Sequence, residues 1–252
     1  MTVLTLLTKI DNDSQLKQVT KALQLLLNGL EVEITVLSAV MEGWVQMSLS
    51  GEDEEIAMNY VIKKVGLCPA NFKNVKKFST LKGYIRDVGK KKITVDVGVF
   101  QPKNVPAILS LSHLQAALVG GRKLALKKIT ELFGFFQGLP VNLKIKDLNE
   151  EESRIDAELT SKQVKKYVVW RESMLDRLLI LGVAFHEVEA TIEHAKLDRD
   201  VIEVEHLGLL EHALTCKLGT DAVGLIPKIG RDLENARFAV FNPKTLRHFL
   251  NA

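Results

Sequence analysis

Apolar and polar positions alternate through residues 2–10 and then switch to helical spacing, with Leu16, Val19, Leu23, Leu26, Leu27 and Leu30 recurring three or four apart. A period of two predicts a strand and a period of 3.6 a helix, and Asp11–Ser14 offers side chains able to cap the helix start. That helix should end near Asn28–Gly29. Val32, Ile34 and Val36, then Val45, Met47 and Leu49, alternate again and predict two strands joined near Glu42–Gly43. Ser50–Glu55 opens a second helix, whose early acids Glu52, Asp53, Glu54 and Glu55 suit the positive end of the helix dipole. Residues 1–68 therefore read as a βαββα domain.

After a basic connector over Lys63–Lys82, the alternation returns in short runs: Gly83–Val88, Ile93–Gly98 and Ala107–Leu111. Gly120–Gly121 precedes a predicted helix over about 122–135, and strands follow at Val141–Lys146 and Ile155–Thr160. Three strands, a helix and two strands is the order of an OB-fold barrel, here set over residues 73–160. Past the acidic stretch Asn149–Glu152, Ser161 can cap a helix with Val164, Val168, Leu175, Leu178 and Leu179 inward. Strands are expected over about 184–194, 201–207, 212–218 and 222–227, with a last one near Arg237–Phe241. The fold class is thus α+β: an N-terminal βαββα layer, a central OB-like β-barrel, and over residues 161–252 a helix with a small β-rich sheet domain.

Charge changes the picture more than composition does. The 252 residues carry a net charge of +3, but residues 1–59 hold −6, residues 60–146 hold +14 and residues 147–252 hold −5. A field of one sign concentrated in the middle attracts a polyanion, and nucleic acid is the first partner to consider. The candidate contacts are Lys73, Lys76, Lys77 and Lys82 of the connector, Tyr84 and Arg86 on one strand, and the run Lys90, Lys91 and Lys92. The connector reads either as a phosphate-tracking strap or as a solvated loop whose Phe72 and Phe78 pack down. Lys and Arg supply the sequence-independent part of nucleic-acid affinity. Gly120 and Gly121, followed by Arg122 and Lys123, read either as a plain helix entry or as a backbone phosphate site whose cationic face continues through Lys127 and Lys128. The full spacing of a nucleotide-binding loop is missing there.

Gly83-Tyr-Ile-Arg-Asp-Val88, Ile93-Thr-Val-Asp-Val-Gly98 and Ala107-Ile-Leu-Ser-Leu-Ser112 resemble the RNA-binding OB module first described in a bacterial small-subunit ribosomal protein. The resemblance implies a barrel and an RNA ligand. Thr94 stands where that module commonly carries a base-stacking aromatic, and Ser110 where a histidine is common, so Tyr84 and Phe100 are the remaining aromatic candidates. Glu203–Leu207 and Ala213–Pro227 resemble a fragment of the same motif, which implies a degenerate second OB-like module; a Gly-rich hairpin in a small sheet reads the same way. From end to end, with Leu207–Ala213 and Lys217–Pro227 as its carriers, the chain is similar to an archaeal family of uncharacterised proteins defined by a domain of unknown function. That resemblance implies an archaeal source and supplies no activity.

Chemistry must otherwise come from His186, Glu187, Glu189, Glu193, His194, His206, Glu211 and His212. On a strand, His186 and His194 would stand ~26 Å apart and share no ion. Glu211 and His212 are left to meet Asp221 across a hairpin. No catalytic residue, metal or cofactor is expected, since Gly-x-Ser-x-Gly and HExxH are absent. Cys68 and Cys216 have no CxxC partner and should be buried free thiols. Apolar runs such as Leu178–Ala184 fall short of the ~20 residues of a membrane span, and Met1–Ile10 lacks a basic start, so a cytoplasmic location with no membrane partner is expected. The reading is a non-enzymatic RNA-binding protein of low sequence specificity, with single-stranded RNA and ribosome or RNA polymerase components as partners. An adaptor of the archaeal transcription or translation machinery is the alternative, and a nucleic-acid-modifying enzyme the third.

Overall fold

A computed structural model describes residues 2–40 and 42–251. The N-terminal part follows the expected order: β1 (Thr2–Lys9), α1 (Asp13–Leu26), β2 (Val32–Val40), β3 (Trp44–Gly51) and α2 (Glu54–Lys64). Its antiparallel sheet runs β1-β3-β2. Asn12 caps α1 by accepting from the Gln15 amide at 2.9 Å. Leu4, Leu6, Met47 and Leu49 pack against Val19, Leu23, Ala57 and Val61 of the two helices. Leu7 and Trp44 belong to a different cluster, with Tyr84 and Phe100 of the next domain. The N-terminal sheet thus serves two cores.

The connector forms β4 (Ala70–Asn71) and a single 3-10 turn over Phe72–Asn74, and Phe72 is buried there. The barrel consists of β5 (Thr80–Val88), β6 (Lys92–Asp96), β8 (Ala107–Ser110), β9 (Pro140–Asn149) and β10 (Arg154–Leu159), closed in the order β10-β8-β6-β5-β9. Between β6 and β8, the short β7 (Val99–Gln101) pairs in parallel with β4. Ile85, Ile93, Val95, Leu109, Leu143, Ile145 and Ile155 fill the interior. Gly83 is required where β5 crosses β6, because a Cβ there would stand 2.6 Å from the Asp96 carbonyl oxygen.

The helix expected over about 122–135 is α4 (Leu126–Phe133), and a helix the sequence reading did not expect, α3 (Leu111–Val119), precedes the two glycines. Ser110 caps α3 through the His113 amide, and Gly120 ends it in the left-handed region. The Gly120–Gly121 turn is therefore a helix exit, where the sequence suggested an entry.

The third part corrects the sequence reading furthest. α5 (Ser161–Ser173) buries Gln163, Tyr167 and Trp170, and Leu178 and Leu179 belong instead to the next strand. After it come β11 (Arg177–Leu181), α6 (Phe185–His194), β12 (Val201–His206), β13 (Glu211–Cys216), α7 (Ala222–Ile229), β14 (Arg237–Phe241) and α8 (Pro243–Asn251). Segments 184–194 and 222–227, expected as strands, are helical. Val188 and Ile192 lie four apart and satisfy both periods, and burial of Thr191 shows which period holds. Asp221 caps α7 by accepting from the Val223 amide at 3.0 Å, while Ala222, Leu225 and Ile229 form its inner face. The sheet is open and antiparallel in the order β12-β13-β11-β14. A βαββαβ chain in that order is the ferredoxin-like arrangement, so the third part is not a second OB-like module.

Candidate nucleic-acid interface

An OB barrel usually binds on the face of its second and third strands and on the loops beside them. Here those strands are β6 and β8, which present Lys92 and Thr94 beside Ser110 and Ile108. The β5–β6 loop adds the exposed Lys90 and Lys91. At the opposite end of the barrel, the β9–β10 loop carries Glu150, Glu151 and Glu152, with Glu150 lining one recess together with Lys73. The β5–β6 end is cationic, and the other end mixes these acids with lysines of the connector.

The cations expected from the sequence fall into two groups. Lys73, Lys76, Lys90, Lys91, Lys92, Lys123 and Lys127 are exposed and form no ion pair among the described residues. The rest are engaged. Lys77 pairs with Asp147 at 2.9 Å, Arg86 with Glu42 at 3.1 Å and Lys128 with Glu131 at 3.5 Å. Arg122 donates to the Phe249 carbonyl at 3.4 Å. Lys82 is half-buried, and burial holds its ammonium below the usual lysine range.

Tyr84 is not available for stacking, because it is 3% exposed and meets Trp44 edge-on with ring centroids 5.7 Å apart. Its hydroxyl lies 3.1 Å from the Leu7 carbonyl oxygen and 3.2 Å from Glu211 Oε2. With one proton to donate, it satisfies both only when Glu211 is protonated and donates back. Burial pushes the Glu211 carboxyl up to about 7. Tyr84 is thus a pin joining all three parts of the chain. Phe100 packs beside it and is likewise removed from the surface.

Gly120 and Gly121 hold no free anion-binding amides. Their N–H groups donate to the Gln115 carbonyl, and the Arg122 amide donates to Val119 O at 3.3 Å. The amides are committed to closing α3 and are not free to meet a phosphate.

The histidines and acids of the third part do not converge. His186 and His194 lie on helix α6, about 12 Å apart at ~1.5 Å per residue, and not on a strand face. His194 pairs with Asp232 at 2.9 Å, and His186 lies 3.3 Å from Glu187. Asp221 serves α7 and meets neither Glu211 nor His212. His212 is buried, donates to or accepts from nothing beyond Val183 O at 3.0 Å, and burial lowers it to about 3. Among the described residues no three His, Cys, Asp or Glu side chains are placed to hold a metal. Cys216 is buried and Cys68 half-buried, both as free thiols raised by burial.

Two groups escaped the sequence reading. Phe78 is 65% exposed, although the connector pattern allowed both phenylalanines to pack down. Lys144 and Lys146 stand exposed on the outer face of β9; their i, i+2 spacing opposite the buried Leu143 and Ile145 was the signal that could have found them.

Several solved structures are similar to this chain in part. The uncharacterized protein MJ1198 from Methanocaldococcus jannaschii is 15% identical over 34% of this chain and 95% of that one, at a TM-score of 0.25. GSP13 from Bacillus subtilis is 13% identical over 35% of this chain and 58% of that one, at 0.27. The intact alpha subunit of aIF2 from Pyrococcus abyssi is 10% identical over 66% of this chain and 97% of that one, also at 0.27. TM-scores this low carry no functional weight. No curated protein matches the sequence. Three family models do: the DUF2110 N-terminal domain over residues 3–70, the central domain over 75–171 and the C-terminal domain over 175–241. Together they span nearly the whole chain in the order of its three structural parts, and the chain belongs to the DUF2110 family.

Proposed function

We propose that this chain is a cytoplasmic RNA-binding protein of low sequence specificity, which tracks a single-stranded backbone along the outside of its barrel, between lysines at its two ends, without acting on it chemically. The observation that carries the reading is the set of exposed lysines left unpaired in the most basic third of the chain, Lys73, Lys76, Lys90, Lys91 and Lys92 among them. Unpaired ammonium groups retain their full attraction for phosphate, whereas paired ones must first give up a carboxylate. No helix among the described residues is long and apolar enough to cross a membrane. Low specificity follows because base readout on an OB surface needs aromatic platforms, and Tyr84 and Phe100 are buried.

The test is the salt dependence of binding to labelled single-stranded RNA, read by fluorescence anisotropy. Each phosphate contact contributes about −0.7 to the slope of log affinity against log salt. Replacing Lys90, Lys91 and Lys92 by Glu should flatten the slope by about 2 and weaken every RNA sequence tested. An unchanged slope would remove these lysines from the interface.

A second reading, docking on a protein of the transcription or translation machinery, rests on a different surface. A recess of about 450 Å³ between α1 and the third part is lined by Leu25, Leu26, Val65, Phe185 and Leu209, with Leu25 57% exposed. Binding through it would resist salt, which separates the two readings.

A further inference from the structure

Phe78 has the left-handed backbone, φ 66°, that glycine takes freely and a bulky side chain does not. Nothing in the core repays that conformation, since the ring is 65% exposed while Phe72 nearby is buried. The backbone is nevertheless held firmly. The Phe78 amide donates to Ile145 O at 2.8 Å, the Ile145 amide donates to Ser79 O at 2.9 Å, and Ser79 Oγ donates to Lys76 O at 2.6 Å. The ring is therefore presented from the edge of the β5–β9 pair by a rigid, strained turn. Strain kept on the surface of a well-paired segment is a mark of function.

The surroundings indicate what the ring meets. Lys77 Nζ lies 5.6 Å and Lys144 Nζ 5.9 Å from its centroid, within reach of a cation–π contact. Lys76 is exposed and unpaired one position before Lys77. An apolar protein partner would have to bury this aromatic together with strongly hydrated ammonium groups, at a high desolvation cost. A nucleotide has a flat π-face for the ring and a phosphate for the cations, which is how single strands are held on stacking platforms. Resting on the RNA-binding reading above, we propose that Phe78 is a stacking platform for one base of a single-stranded RNA. Lys144 and Lys76 take the flanking phosphates, the long exposed stem of Lys144 moving from ring to backbone as the base arrives. The platform is built at the start of β5, away from the β6 position that Thr94 leaves without an aromatic.

The experiment uses the full chain and a labelled oligouridylate of about 12 nucleotides, within the ~4–16-nucleotide footprint of an OB fold. Phe78→Ala should weaken binding roughly 5- to 150-fold, the loss of one stacked base, and leave the salt slope unchanged because no phosphate contact is lost. Phe78→Trp should retain affinity and give an indole whose fluorescence the RNA quenches; Trp44 and Trp170 are buried and stay silent. Phe78→Gly should bind as weakly as the alanine variant while melting no lower than the wild type, since glycine relieves the strained backbone. If Phe78→Ala binds like wild type while the Lys90, Lys91 and Lys92 variant loses affinity, the platform is rejected and the RNA reading survives. If the wild type binds no RNA, both are rejected. A Phe78→Gly protein that melts lower would assign the ring a structural role and also overturn the platform.

Discussion

Glu211 shows how far a single residue's behaviour depends on the fold around it. Burial pushes its carboxyl up to about 7, against the opposing pull of Lys82. The folded protein therefore holds this proton more tightly than the unfolded chain, whose carboxyl titrates near 4.5. The stabilising share of the group is fully present below that lower value and is lost as pH rises through about 7. Between about pH 5 and about pH 8 the loss should amount to roughly 2–3 kcal/mol, measured as a falling denaturant midpoint. Glu211→Gln should flatten the trend, and an equally steep trend in that variant would place its origin elsewhere. Strand alternation alone could place Lys82 and Tyr84 on one face of β5. That this face is roofed by Leu7 and Glu211 came from parts of the chain remote in sequence.

Local motifs at the element scale proved legible where their hydrogen bonds close nearby and misleading where they do not. Asn12 and the β5–β6 pairing match expectation because each is fixed within a few residues. Gly120–Gly121 carries the same composition whether it opens a helix or ends one; α3 before it, capped by Ser110, decides the matter. Gly120 and Gly121 have φ of 64° and 81°, with no atom within 4 Å of the place a Cβ would occupy. Gly121→Val should therefore cost roughly 1–2 kcal/mol through backbone strain alone. RNA affinity measured on the folded variant should be unchanged, because the amides there already serve Gln115 and Val119. A selective loss of RNA binding, with unfolding unaffected, would restore the anion site.

The whole molecule is less divisible than its sequence suggests. A closed barrel needs no neighbouring edge, which argues that residues 73–160 stand alone. Yet the core around its interior continues outward. Phe133 and Phe135 of the α4 region meet Tyr167 edge-on at 5.5 and 5.4 Å, Trp170 lies 5.4 Å from Tyr167, and Phe241 of β14 closes the cluster. A fragment ending at residue 160 loses those rings and exposes both phenylalanines. At ~1.5–3 kcal/mol for each large buried side chain, it should melt well below a fragment extended through Ser173. Circular dichroism melting and amide dispersion of the two fragments would show this, and equal melting temperatures would make the barrel self-sufficient after all.

Strand periods, caps and net charge are local quantities, and they sufficed to read the βαββα order, the five-stranded barrel and the concentration of positive charge in the middle third. They could not separate strand from helix at Phe185–His194, where Val188 and Ile192 satisfy either period, nor at Ala222–Ile229, where 222–227 read as a strand. Those segments were decided by packing against β11 and β14, through contacts distant along the chain. The candidate site divides in the same way. That lysines are abundant is written in the residues, but which of them remain unpaired depends on where Glu42, Asp147 and Glu131 come to lie. Tertiary structure likewise chose between the two phenylalanines of the connector, burying Phe72 and Tyr84 under neighbouring strands and leaving Phe78 exposed beside two ammonium groups. Exposure is a property of what covers a side chain, and what covers it here is a segment tens of residues away.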